Sequence, residues 1–135
     1  MARTEGTANA EFAVTLPFGP DAARVARSMV GQLLSEHECG EQLVEDGRLV
    51  VHELVTNGVR HGEPDPQTEI AVSCRLLEAH VVISVLDHGR QGTVGVRPSS
   101  VDSLDGRGLA IVEALSEKWS VDRNGGTRVE AWLSR

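Results

Sequence analysis

A chain of 135 residues with a net charge of −7 has room for one hydrophobic core but not two. It offers no basic stripe for a nucleic-acid backbone, so direct nucleic-acid binding is not expected. Hydrophobic residues make up 40% and charged residues 24%, as in an ordinary globular domain, but only 3% are aromatic and tyrosine is absent, so the core has to be aliphatic.

Residues 1–9, "MARTEGTAN", are small and polar and read as a disordered lead-in. They contain no apolar signal core, and no later apolar run reaches membrane-spanning length, so a cytoplasmic protein without membrane contact is expected. "EFAVTLPF" alternates as a first strand ending at Pro17. Pro20 and Asp21 announce a helix with Ala22, Val25, Ala26, Met29, Val30, Leu33 and Leu34 at helical spacing, which should stop near Gly40. A second helix is predicted from Glu41 to His61, ended by "HGEPDP", whose Gly62, Pro64 and Pro66 cannot continue it. Two strands follow, Ile70 to Leu77 and Val81 to Asp87, across the short turn "EAH".

Gly89 to Asp105 breaks the pattern, with Gly, Pro and Ser at frequent intervals and no sustained period. A structureless insert of this length in a compact domain is usually a functional lid or a disordered segment. "GRGLAIVEALSEKW" then reads as a helix opened by glycines, and "WSVDRNGGTRVEAWLSR" as a hairpin around Asn124-Gly125-Gly126. The order suggests an α+β fold: a two-layer sandwich with a mixed, mostly antiparallel sheet and its helices on one face. Cys39 and Cys74 stand alone, outside any zinc or disulfide spacing, and Cys74 should be packed in a strand.

Chemistry enters on the second helix. At 100° per residue, Leu43, Val44, Val50, Val51, Leu54 and Val55 gather on one broad face, and Glu53 and Asn57 fall just past its edge. A carboxylate on such a rim has one side in a low-dielectric wall and its oxygens in a cleft, as general-base or metal chemistry requires. His61 points nearer the apolar face and is expected to pack or hydrogen-bond rather than react.

Three glycine-bearing turns complete the pattern. In "VLDHG", Asp87 ends a strand where it could accept a hydrogen bond from an exocyclic amine, and Gly89 leaves room for a flat ring. In "GRG", Gly106 to Gly108 open a helix whose free N–H groups suit phosphates. "NGGT", Asn124 to Thr127, is first a hairpin turn and second a ligand contact. Neither a P-loop nor a strand-linked GxGxxG occurs.

Taken in order, ELVTN, DHG, GRGL and GGT resemble the N, G1, G2 and G3 boxes of the GHKL (Bergerat-fold) ATPases, over residues 10 to 134. The short length, "NGVRHG" and "GRGL" look most like the anti-sigma-factor serine kinases. That resemblance implies an ATP- and Mg²⁺-dependent enzyme that binds a sigma factor and phosphorylates a small STAS-domain antagonist. It makes Glu53 the general base toward the acceptor serine and Asn57 the Mg²⁺ ligand. Asp87 would bind the adenine amine beside Gly89, and Thr127 would lie near the base. Gly106 and Gly108 would offer N–H groups to the phosphates, Arg107 would add charge, and residues 89–105 would be the ATP lid. A homodimer is compatible with the family.

The sequence also departs from the family pattern. The second glycine of the G1 box arrives one residue late, in Asp87-His88-Gly89-Arg90-Gln91-Gly92. Leu104 and Asp105 stand where some of these kinases carry an arginine, a strong electrostatic contributor beside a transferring phosphoryl group. The competing expectation is therefore a partner-switching module that binds ATP without chemistry. A detached histidine-kinase ATPase domain is a third, disfavoured by the lack of a helix pair bearing a phosphoacceptor histidine.

Overall fold

The computed structural model describes residues 9–17, 19–61, 69–87, 106–123 and 126–135, with backbone only at 58–61 and 106–108. Five strands, β1 (Ala10–Pro17), β2 (Glu69–Leu76), β3 (His80–Asp87), β4 (Lys118–Asp122) and β5 (Thr127–Ser134), form one sheet in the order β1-β2-β3-β5-β4. Three helices, α1 (Ala22–Glu36), α2 (Glu41–His61) and α3 (Gly106–Leu115), complete the α+β sandwich. Each pairing of the described strands is antiparallel, so the sheet is antiparallel throughout rather than mixed.

Strand parity explains the layers. Alternate residues of a strand face opposite sides, and Ile70, Val72, Cys74 and Leu76 of β2 align with Asp87, Val85, Ile83 and Val81 of β3. The apolar members of both sets are buried in one core with Val30 and Leu34 of α1, Val50, Val51, Leu54 and Val55 of α2, and Val112 of α3. Burial leaves the Cys74 thiol in an apolar wall and, with the nearby Cys39 adding to the effect, pushes its pKa up to about 12. It packs as a small hydrophobe.

The opposite face of the sheet is polar. Arg128 donates to Ser84 Oγ at 3.3 Å, Trp132 Nε1 to Glu130 at 3.1 Å, and the Lys118 ammonium lies 4.4 Å from the centre of the Trp132 ring. The apolar parts of such long side chains can lie over the sheet while their polar ends stay wet. Val82 and Ser84, which belong to this face, are themselves buried.

The two long helices run antiparallel in close register. A Cβ on Gly47 of α2 would come within 2.9 Å of Leu34 and 3.3 Å of Val30 on α1, and one on Gly31 of α1 would meet Arg48 at 3.1 Å. Further along, Arg27 reaches His52 at 3.3 Å. The glycines let the backbones approach to where larger side chains would hold them apart.

Strand ends shift from expectation by one residue, and two helix ends differ by more. Helix α1 stops at Glu36, not at Gly40, because the turn is closed earlier by a Schellman pair: the Cys39 N–H bonds Leu34 O at 3.0 Å and the Glu38 N–H bonds Ser35 O at 3.2 Å. Glu38 takes the left-handed position at φ 60° that glycine usually fills. Helix α3 ends at Leu115, short of the expected Trp119, because the sheet claims the rest: Glu117 N bonds Trp132 O at 2.7 Å and Lys118 pairs with Trp132.

Candidate functional site

The helix-facing rows of the sheet are apolar until the last. Phe12, Cys74, Ile83, Ala131 and Trp119 align across all five strands, as do Val14, Val72, Val85, Val129 and Val121. The row beyond reads Leu16, Ile70, Asp87, Thr127. Chemistry thus replaces packing at one end of the sheet, on the central strand β3 and its neighbour β5, beneath the helices. Asp87 has its Oδ1 withdrawn from solvent, and Thr127 is its register partner, so these two candidates are brought together by strand pairing. Gly126, immediately before Thr127, holds φ 125° and is buried, a conformation that a side chain would strain.

The helix register brings Asn57 to the same end. Val30 and Leu34 meet Gly47, Gly31 meets Arg48, and Arg27 meets His52. Carried on by about one turn and a half at 3.6 residues per turn, that series sets Asn57 level with the first turn of α1. Helix α1 starts five residues after Pro17, the β1 residue paired with Glu69 at this end of the sheet.

Asn57 is only 5% exposed, and its Nδ2 is buried with no hydrogen-bond partner among the described residues. A buried amide without a partner carries its desolvation penalty uncompensated, about 1–3 kcal/mol. Such a group in a native fold calls for a ligand or a role. Since an amide can turn its oxygen or its nitrogen into the same space, the position fits a phosphate oxygen or a hard cation. Glu53, one helical turn earlier, is half-buried, on the rim where the helical spacing put it.

Helix α3 packs against α2 and begins at Gly106, with no acidic residue in its first turn. Its opening N–H groups have no intrahelical acceptor, and the first glycine adds no Cβ to obstruct an anion. Among the described residues no three His, Cys, Asp or Glu side chains cluster as a metal cage. Gly89, the expected lid at 89–105 and the side chains of Arg107 and His61 lie outside the description. The helix-facing side of Asp87 was not drawn from the sequence, although Val81, Ile83 and Val85 share its parity.

A sandwich with an aliphatic core, a carboxylate at the end of its central strand, a buried amide nitrogen on the second helix with no partner among the described residues, and a glycine-opened helix packed on that second helix has the architecture of a Bergerat-type ATPase. The chain belongs to the histidine kinase-like ATPase domain family, which it matches over residues 16–133. It is similar to the serine-protein kinase RsbW of Oceanobacillus iheyensis, 26% identical over 126 residues that cover 84% of this chain and 80% of that one. It also resembles the crystal structure of the RsbU and RsbW domains of Rv1364c from Mycobacterium tuberculosis, with TM-score 0.72 and 26% identity over 94% of this chain. The match spans about a third of that protein, 33% of its length. The SiaB–SiaC complex of Pseudomonas aeruginosa shares the fold, with TM-score 0.65 and 12% identity over 90% of this chain and 88% of that one. The likeness is thus of the GHKL, anti-sigma-factor kinase type. Among the described residues no helix is long and apolar enough to cross a membrane.

Proposed function

We propose that this chain is an ATP-dependent protein serine kinase of the partner-switching kind, which binds a sigma factor and phosphorylates a STAS-domain antagonist in the cytoplasm. The observation that carries the reading is the buried Asn57 Nδ2, without a hydrogen-bond partner among the described residues, on the helix whose register runs toward the sheet end bearing Asp87 and Thr127.

In this reading residues 10–134 are the catalytic domain and 89–105 the lid over its nucleotide. Asp87 accepts a hydrogen bond from the adenine amine, Gly89 leaves room for the ring, and Thr127 lines the base. Gly106 and Gly108 donate backbone N–H groups to the phosphates, and Arg107 adds positive charge. Asn57 would hold Mg²⁺ through its amide oxygen, and the ion would supply positive charge to the phosphates. Glu53 takes the proton of the acceptor serine as its oxygen attacks the γ-phosphorus and ADP leaves; a positioned base of this kind is worth roughly 10²–10⁴ in rate. Transfer of label from ATP to a STAS-domain protein, lost in Glu53→Gln while Mg-ATP still binds, is the expected result. Label transfer that survives Glu53→Gln, or none to any candidate from a nucleotide-bound protein, would count against it.

Leu104 and Asp105 favour a second reading, in which nucleotide sets partner affinity without phosphotransfer. It predicts ATP-dependent binding of a partner that stays unlabelled.

A further inference from the structure

On the outer side of the helix layer, between α1 and α2, lies a cleft of about 330 Å³, a volume at the small end of ligand-binding pockets. Its walls carry Arg24, Arg27 and Arg48 with Ser28, Gln32 and Ser35. In a chain of net charge −7, three guanidinium groups around one hollow are the opposite of the average surface.

Little in the described fold compensates them. Arg24 meets Asp21 at 3.3 Å, but both side chains are largely exposed, where a pair contributes little. Gln32 holds Glu36 at 2.9 Å, also at the exposed rim. Arg27 donates to His52 Nδ1 at 3.3 Å; because guanidinium can only donate, that nitrogen is the unprotonated one, and the contact leaves the arginine's charge unbalanced. Arg27 Nε is buried with no acceptor among the described residues, although a buried donor on a charged group is costly to leave unmade. Arg48 lies across Gly31, where even a methyl group would crowd its stem at 3.1 Å, so the glycine seats it in the cleft.

We propose that this cleft is an anion site for a small phosphate-bearing compound, separate from the nucleotide site and independent of the kinase reading. The arginine forks supply paired N–H donors suited to tetrahedral oxoanions, the serine hydroxyls add donors, and the anion removes the repulsion among the cations. The cleft opens on the outer side of the helices, whereas Asp87 and Thr127 lie beneath them.

Inorganic pyrophosphate is the probe, titrated without Mg²⁺ into the full chain and followed by amide NMR and calorimetry. Saturable binding is expected, with shifts centred on Ser28, Gly31, Gln32 and Ser35. Arg27→Gln combined with Arg48→Gln, both at positions where the fold asks for no cation, should leave thermal unfolding in place and weaken binding by roughly tenfold or more. Absence of binding, shifts centred on Asn57 and Asp87, or affinity indifferent to the double substitution would overturn the proposal. So would a glutamate-rich peptide that occupies the cleft where pyrophosphate does not, because the occupant would then be an acidic protein segment.

Discussion

The two halves of α2 follow different rules. From Gly47 to Val51 the core-facing side of the helix is scaffold: a glycine allows close approach to α1, Val50 and Val51 are fully buried, and the Gly47 position also lies near Ile83 of the sheet. From Glu53 to Asn57 the same helix keeps Leu54 and Val55 in the core but places a half-buried carboxylate and a buried amide beside them. In the first half each buried group is matched by its neighbours. In the second, Asn57 Nδ2 has no match among the described residues. A helix whose packing is complete at one end and, among the described residues, incomplete at the other has a group free for a ligand at the incomplete end.

The largest expected effect tests that incompleteness. Asn57→Ala should weaken Mg-ATP binding by roughly a hundredfold, the loss of a strong charged contact. It should change the unfolding free energy by less than about 1 kcal/mol, because relief of the amide's desolvation penalty offsets the packing lost with the side chain. Calorimetric titration and chemical denaturation read the two quantities separately. A stability loss well above 2 kcal/mol with nucleotide affinity intact would make Asn57 an ordinary core residue and erase the contrast.

Next in size is the scaffold half. Gly47→Leu puts a side chain where a Cβ alone would stand 2.9 Å from Leu34, and overpacking of this sort costs about 2 kcal/mol. The helices must separate or Leu34 must leave its rotamer, so the midpoint in urea should fall. Affinity for Mg-ATP, measured below the transition, should be kept within a few-fold; a loss as deep as that of Asn57→Ala would show that the halves are coupled.

Much of this was legible in the sequence because the local patterns agree with the fold. The alternation of "EFAVTLPF" and the helical spacing from Ala22 to Leu34 each match a single burial face, and the bounds Glu41–His61 of α2 are those the Pro- and Gly-rich stop predicts. The end of α3 was less legible: "SEKW" has no local breaker, and only pairing of Glu117 and Lys118 with Trp132, far along the chain, ends the helix. For the site, spacing put Glu53 and Asn57 on a rim, yet Asn57 is more deeply buried than a rim position suggests, because burial depends on what α2 packs against. The pairing of Asp87 with Thr127 is a register fact, fixed by residues on two strands that a local pattern does not connect.

The smallest effect concerns strain that belongs to scaffold alone. Glu38 sits at φ 60° in the turn that closes α1, a conformation that costs a side-chain-bearing residue about 1–2 kcal/mol. Its N–H bonds Ser35 O and the following N–H bonds Leu34 O, so the turn's hydrogen bonds are backbone only and survive replacement. Glycine removes the strain but loses more chain entropy on folding, by roughly 0.5–1 kcal/mol. Glu38→Gly should therefore stabilise by about 0.5–1 kcal/mol, raising the melting temperature by about 2–4 °C. Glu38→Ala, which removes the same charge without freeing φ, should gain little. If alanine stabilises as much as glycine, the gain comes from relief of negative charge and not of backbone strain. If glycine stabilises but also shifts Mg-ATP affinity, the α1–α2 turn is linked to the site half, and the division of α2 into scaffold and site has to be redrawn.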